Sequence, residues 1–366
     1  MSGQPAGGQP AGGQPAGGQP AGGQPAGGQP AGGQPAGGTV RELPRSPLVR
    51  LSALGFGASQ GGNLYRASTD EEFAAAVDAA WDAGIRYFDT APHYGLGLSE
   101  RRLGAALRSR PRDEYVVSTK VGRLLVPSPE DAHRRDPEGF DVPASHRRVW
   151  DFSRDGVLRS LEASLERTGL DRFDVVYLHD PDEHWTEAGT GALPALVELR
   201  EQGVVRAVGA GMNQSAMLAR FVAGGDVDVV MCAGRYTLLE QGAAGDLLPA
   251  AAERGVGVVI AGVYNSGLLS RDRPPAEAYY DYRPAPPELL DRARRIAAVC
   301  EAHGVTLPQA ALAFVRRHPA VVSTVVGLRD RFQVAETLRR STAVVPDELW
   351  DALATAGLLE TAPPAN

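Results

Sequence analysis

The sequence predicts an α/β fold, a single-domain (β/α)8 TIM barrel preceded by a low-complexity tail. Three observations lead there. From Ala53 onward, short β-branched runs alternate with helical patterns, an order that calls for parallel strands joined by crossover helices. Eight such repeats suit closure into a barrel better than an open doubly wound sheet. Three polar residues, Asp89, Lys120 and His179, terminate the second, third and fourth strands, where barrel enzymes carry their reactive groups.

The opening residues do not read as part of that fold. From Gln4 to Gly38 the pentapeptide Gln-Pro-Ala-Gly-Gly repeats without an aromatic, a β-branched residue or a charge. Such a stretch has no apolar surface to offset the entropy of ordering it, so residues 1–38 are expected to be a disordered tail. Glycine does not recur every third residue, which excludes collagen. Residues 39–366 then form the barrel domain.

Each element follows in order. Ala53–Gly57 reads as the first strand. Ser68 and Thr69, with Glu71 and Glu72 three residues on, give overlapping capping-box signals for a helix through Asp82, stopped by Gly84. Ile85–Asp89 is the second strand, Ser99–Arg108 a helix and Tyr115–Lys120 the third strand. Val121–Trp150, charged and punctuated by proline, reads as a large loop. Arg154–Thr168 is a helix with Val157, Leu158, Leu161 and Leu165 on one face, closed by Gly169. Phe173–His179 is the fourth strand, Leu193–Gln202 a helix, Val204–Gly209 the fifth strand and Gln214–Val222 a helix. Val227–Cys232, Ala243–Arg254 and Val256–Gly262 are the sixth strand, a helix and the seventh strand. Pro287–His303 and Pro308–Arg317 are helices, Val321–Val326 is the eighth strand, and Phe332–Arg340 is the last barrel helix. Val345–Glu360 is expected to pack across the outside or one end.

Composition narrows the function. A net charge of −7 with scattered arginines argues against a nucleic-acid partner. No apolar run approaches the ~20 residues of a membrane helix. The start lacks a basic n-region and an apolar h-region, so no signal peptide is expected and the expected setting is the cytoplasm. Cys232 and Cys300, both in apolar surroundings, are expected to be buried free thiols. The histidines show no paired metal spacing, so no metal site is expected. Among the 37 basic residues, Lys120 is the sole lysine. Surface cations tolerate exchange to arginine, whereas a site that needs a compact ammonium with a tunable pKa does not.

Lys120 thus joins Asp89, His179 and Tyr94, which lies just past Asp89 in Asp89-Thr90-Ala91-Pro92-His93-Tyr94-Gly95. These groups suit proton transfer coupled to hydride transfer. A free tyrosine has a pKa near 10. A neighbouring ammonium stabilises its phenolate, and a carboxylate balances that ammonium. A neutral histidine can hold the substrate oxygen at hydrogen-bond distance. Taken singly, Tyr94 also fits a loop aromatic, His179 a satisfied strand-end histidine and Asp89 a helix cap. Together on three successive strands they favour function.

Asp89–Gly95, followed by Gly97, Ser99, Glu100, Leu103 and Gly104, resembles the signature of the aldo-keto reductase family. Val117–Lys120 resembles its lysine strand, and Ser160–His179 its helix–strand unit ending in a histidine. The resemblance runs from Leu51 to about Arg340. It implies a catalytic tetrad of Asp89, Tyr94, Lys120 and His179, and NAD or NADP held without a Rossmann fingerprint, which Gly55-Phe56-Gly57 does not complete. It implies cofactor contacts at Gly57, Asn213, Tyr236, Ser266, Gly327, Arg329 and Arg331. In that scheme Tyr236 stacks on the ring and the loop 263–270 covers the diphosphate. The start of the last barrel helix then takes the adenosine end on exposed N–H groups and arginines.

Two departures stand out. Gly211-Met212-Asn213 replaces the usual Ser-Asn, and Ala233 replaces a glutamine three residues before Tyr236. With Gly234–Leu239 and His179–Trp185, they resemble the branch of D-threo-aldose (L-fucose or L-galactose) 1-dehydrogenases and pyridoxal dehydrogenases. The implied reaction is oxidation of an aldose lactol to a lactone, with a small sugar or carbonyl compound as partner. NADPH-dependent reduction of aldehydes, ketones or pyridoxal stays open. So do a Schiff-base lyase built on Lys120 and a non-catalytic, cofactor-sensing subunit. Trp150, Trp185 and Tyr279-Tyr280-Asp281-Tyr282 are candidates to line the pocket or to pack loops. NAD versus NADP, reaction direction and oligomeric state are not read from the sequence.

Overall fold

The computed structural model describes residues 39–281 and 283–359; the expected tail lies outside them. Eight parallel strands close into a barrel in sequential order. They are β1 (Leu54–Gly57), β2 (Tyr87–Asp89), β3 (Val116–Val121), β4 (Val175–His179), β5 (Ala207–Met212), β6 (Val229–Ala233), β7 (Gly257–Ala261) and β8 (Val321–Gly327). Pairing of Thr324 with Leu54 joins β8 back to β1. The (β/α)8 expectation therefore stands.

The helices begin where their caps dictate. In α1 (Asp70–Asp82) the reciprocal box forms between Thr69 and Glu72, while Ser68 turns to Asn63 instead. Next come α2 (Leu98–Leu107) and α3 (Arg154–Thr168), the latter capped by Ser153 and closed by Gly169 at a φ of 65°. After them come α4 (Leu193–Glu201), α5 (Ser215–Gly224) and α6 (Leu247–Arg254), then α7 (Pro287–Ala302), α8 (Leu307–Val315), α9 (Arg331–Ser341) and α10 (Asp347–Thr355). Among the described residues no single helix is long and apolar enough to cross a membrane.

Most buried apolar residues fall into two layers. One set lies between the strands and the helical ring. The other fills the barrel interior with Val116, Val175, Val229, Met231 and Val259, among others, together with Leu43 and Leu51. Leu43 and Leu51 come from an antiparallel hairpin, Val40–Leu43 with Ser46–Ser52, that the sequence reading did not anticipate. Pro44 and Pro47 disguised it, since proline is excluded from ladder interiors. Arg41 and Arg45 anchor it by donating to the carbonyls of Val321 and Val227, each at 2.8 Å.

Other boundaries moved for physical reasons. β5 runs three residues further than expected, through Gly209 and Gly211. A Cβ at Gly209 would stand 1.6 Å from the Val229 carbonyl oxygen, so glycine here marks close strand packing and not a strand end. The expected loop 121–150 contains an antiparallel ribbon, Arg123–Pro127 paired with His146–Trp150. The expected helix Ala243–Arg254 is a short 3-10 turn followed by α6. Cys232 and Cys300 are buried free thiols, and burial pushes both up to about 12.

Candidate active site

The barrel register brings the strand-end groups together. β2 pairs with β3 so that Asp89 lies opposite Ser118, and β3 pairs with β4 so that Lys120 lies opposite Tyr177. Asp89, Lys120 and His179 are all buried. Lys120 Nζ donates to both carboxylate oxygens of Asp89, at 2.9 and 2.7 Å, and to the Thr90 carbonyl at 3.0 Å. It also hydrogen-bonds Tyr94, whose ring centroid lies 4.8 Å from Nζ. An ammonium has three protons; Asp89, Thr90 and Tyr94 use them.

Burial alone would lower the Lys120 pKa. The Asp89 and Tyr94 interactions outweigh it, and the pKa is raised, so this lysine stays a cation. The His179 ring meets that of Tyr94 edge-on at 5.9 Å. Burial, reinforced by Arg123 and Lys120, holds His179 well below the usual histidine range. It is neutral, as a hydrogen-bonding partner for an uncharged oxygen should be.

The loop carrying Tyr94 is clamped. Ser99 Oγ donates to the Ala58 carbonyl at 2.7 Å and shares a 2.8 Å hydrogen bond with Thr90. Buried Glu100 accepts from Thr119 on β3 and from Arg167 on α3. Gly95 adopts a φ of 62° and lies against Gly62, whose carbonyl oxygen would be 2.3 Å from an added Cβ. No other residue meets both demands.

A polar ring surrounds this centre that the sequence reading did not assign. Arg123 pairs with Asp180, contacts His93 Nδ1 at 3.3 Å and lies 4.3 Å over the Trp150 ring. Arg148 donates to the His93 carbonyl at 2.8 Å and to both oxygens of Asp136. The signal available was position alone: Asp180 directly follows the strand that carries His179, and Arg123 lies two residues past the end of the strand that carries Lys120. Trp150 belongs to this ring. Trp185 does not; it packs on Phe221 at 4.6 Å, under Arg220. Asp281 pairs with Arg235 at 2.5 Å, and Tyr282 lies outside the described residues.

The expected cofactor contacts divide. Asn213 follows β5 at the mouth. Beside it the structure adds Asn265, missed in the sequence, at a φ of 44°. Asn265 is 4% exposed. Its Nδ2 donates to the Gly234 carbonyl at 3.2 Å, while its Oδ1 is buried without a partner among the described residues. Both asparagine amides lie within 4 Å of the point a Gly234 Cβ would occupy. An orphaned acceptor beside two amides suits a planar carboxamide. Ser266 is exposed at a φ of 56°, open to a ligand.

Tyr236 is a correction. Its ring is 1% exposed and packs on Phe314 at 5.1 Å in the apolar core, so it presents no face for stacking. Gly57 is likewise buried, and a Cβ there would meet the β8 backbone within 3.1 Å; its role is strand packing. At the start of α9 the N–H groups of Phe332 and Gln333 are not vacant, because Asp330 caps both. Arg329 turns inward to Gln60 and the Leu64 carbonyl. Gly327 and Arg331 remain exposed.

Residues 53–357 match the family model described as the aldo/keto reductase family. The chain belongs to the aldo/keto reductase family. This aldo-keto reductase is an NAD(P)-dependent oxidoreductase. It is 50% identical over 318 residues to a D-threo-aldose 1-dehydrogenase from a Pseudomonas species, covering 85% of this chain and 95% of the relative. It is 37% identical over 338 residues to a pyridoxal 4-dehydrogenase from Microbacterium luteolum, covering 87% and 97%. The fold matches an aldo-keto reductase from Bacillus halodurans in its holo form, with a TM-score of 0.69 at 23% identity over 86% and 95% of the two chains.

Proposed function

We propose that this aldo-keto reductase oxidises the C1 hydroxyl of an aldose lactol to a lactone, with Tyr94 as general base and as general acid in the reverse direction. The observation that carries this reading is the chain Asp89–Lys120–Tyr94, ending beside a neutral His179. Bound NAD(P)+ supplies the hydride acceptor. As the C1 hydrogen leaves with its electron pair, Tyr94 takes the hydroxyl proton and the C1–O bond becomes a carbonyl. Lys120 stabilises the phenolate form of Tyr94 that accepts that proton. Its charge is fixed by Asp89 and needs no reorganisation during reaction. His179 holds the substrate oxygen. Asn213, Asn265, Ser266 and Arg331 hold the cofactor.

The polar ring supports a neutral, hydroxylated substrate. Arg123 and Arg148 are each paired with a carboxylate, Asp180 and Asp136. The ring offers hydrogen bonds without an uncompensated cation that would draw a phosphate or carboxylate. The relative at 50% identity supports the aldose class. A second reading, action on pyridoxal, draws on the relative at 37% identity and on His93 and Phe140 flanking Tyr94, which suit a flat aromatic substrate. The proposed setting is the cytoplasm, where Cys232 and Cys300 remain thiols.

The deciding assay follows reduced-cofactor absorbance with NAD+ or NADP+ and L-fucose, L-galactose or D-arabinose. Rapid reduction with a threo-configured aldose, lost in Tyr94→Phe and Lys120→Met, is expected. Turnover confined to pyridoxal or simple aldehydes would transfer the enzyme to the second reading.

A further inference from the structure

Beneath the proposed tetrad lies a second layer of hydroxyl groups. Tyr87, Ser118 and Tyr177 each sit two residues before Asp89, Lys120 and His179 on the same strands. Side chains alternate along a strand, so each points into the barrel directly below a tetrad member. All three are fully buried. Tyr87 and Tyr177 otherwise sit among aliphatic side chains, including Val116, Val175, Met231 and Val259. Room has been made for them: a Cβ at Gly55 would stand 2.8 Å from Tyr87 Cδ1.

The hydroxyls are linked in series. Ser118 Oγ donates to Asp89 Oδ1 at 2.7 Å. Tyr87 lies 3.1 Å from Ser118 Oγ, and Tyr177 lies 3.2 Å from the Tyr87 hydroxyl. The proton order follows from counting. A carboxylate only accepts, and a hydroxyl has one proton. Ser118 spends its proton on Asp89, so Tyr87 must donate to Ser118. Tyr87 is then committed, so Tyr177 must donate to Tyr87. All three O–H bonds therefore point the same way, each polarising the next. Burial raises both phenol pKa values, which keeps them protonated donors.

We infer that Tyr177, Tyr87 and Ser118 form a one-way hydroxyl relay that sets the charge Asp89 presents to Lys120, and so act as positioning residues for the Tyr94 base. The inference rests on the proposed role of Tyr94. The sign follows from electrostatics. Three aligned donors offset part of the Asp89 charge, which leaves more of the Lys120 ammonium's field for the Tyr94 phenolate. Removing a donor returns charge to Asp89 and makes Tyr94 harder to ionise. Other groups facing this centre are Lys120 on β3, His179 and Asp180 at the end of β4, His93 beside Tyr94, and Arg123 and Arg148 on the ribbon. None is altered in the variants below.

The test is the pH profile of sugar oxidation in Tyr177→Phe and Tyr87→Phe, with thermal melts to verify folding. The hydroxyls lost touch neither substrate nor cofactor. The pKa of the acidic limb, below which oxidation fails because Tyr94 stays protonated, is expected to move up by about half a pH unit in Tyr177→Phe and further in Tyr87→Phe. Adding Tyr177→Phe to Tyr87→Phe should cause no further shift, because the chain is already cut. The same titration is read without substrate as the tyrosinate absorbance that disappears in Tyr94→Phe. A shifted tyrosinate titration with no aldose turnover would retain the relay and reject the aldose reading. Unchanged titrations with lowered melting temperatures would overturn the relay and leave packing as the only role. If either tyrosine variant fails to fold, Ser118→Ala, which cuts the chain at Asp89, is expected to give the alkaline shift, and an unshifted profile there overturns the relay.

Discussion

Arg123, three residues beyond Lys120, forms its ion pair with Asp180, the residue directly after His179. The pair ties the ends of β3 and β4 together across the mouth. Asp180 also holds a left-handed φ of 44°, a conformation that surrounding contacts must impose on a residue other than glycine. Its carboxyl pKa is raised by burial, against the lowering effect of Arg123.

Arg123→Met leaves that carboxylate without its partner and frees the turn that aims His179. A loss of about tenfold to a hundredfold in kcat/KM is expected, since small displacements of positioned groups cost that much. Steady-state kinetics on the variant check it; an unchanged kcat/KM would show that the pair only decorates the rim.

Two histidines at the site, His179 buried and His93 half-buried, make stability depend on acid. Burial, then Arg123, Arg148 and Lys120, lower the His93 pKa from 6.5 to about 2, and His179 is lowered well below the same reference. Below pH 6.5 the unfolded chain binds protons that the native state refuses. The stabilising contribution is thus full above that pH and is lost as pH falls towards the native pKa. Each histidine contributes a slope of about 1.4 kcal/mol per pH unit in that window. Denaturant melts of His93→Gln between pH 6.5 and 4.5 should be shallower by that amount. Parallel curves for variant and parent would refute a neutral His93.

Cofactor recognition is expected to depend on Asn265 and not on Tyr236. Asn265→Leu should weaken NAD(P) binding about tenfold, the worth of one well-made hydrogen bond, while ADP-ribose, which lacks the carboxamide, binds as before. Tyr236→Phe removes a buried hydroxyl that has no partner among the described residues and should bind cofactor as the parent does. Fluorescence titration measures both. Equal weakening of ADP-ribose in Asn265→Leu would point to loop disruption.

Every proposed site residue lies at or beyond Gly57, and the first described strand begins at Val40. A chain starting at Thr39 is expected to retain full turnover and melting temperature. A large loss of either would assign the repeats a part in folding or catalysis.

How much of this was legible in the sequence depended on the length scale of each feature. Strand order, helix caps and the convergence of Asp89, Tyr94, Lys120 and His179 were readable because alternation, capping boxes and strand-end polar residues are local. The Arg123–Asp180 pair, the Tyr87–Tyr177 contact and the Asn213–Gly234–Asn265 cluster were not, because each joins strands or loops far apart in sequence. Tyr236 misled because a motif fixes a residue's place along the chain but not which way its ring turns. The α9 start misled similarly: the arginines were visible, but Asp330 occupying the free N–H groups is a matter of side-chain rotamer.

The most direct test of the proposed chemistry uses an aldose carrying deuterium at C1. With a threo-configured sugar and oxidised cofactor, deuterium is expected on the nicotinamide ring by NMR, with lactone as co-product and no transfer in Tyr94→Phe. Deuterium retained in the sugar under every condition, or transfer undiminished in Tyr94→Phe, would contradict the assignment of C1 as hydride donor or of Tyr94 as its base.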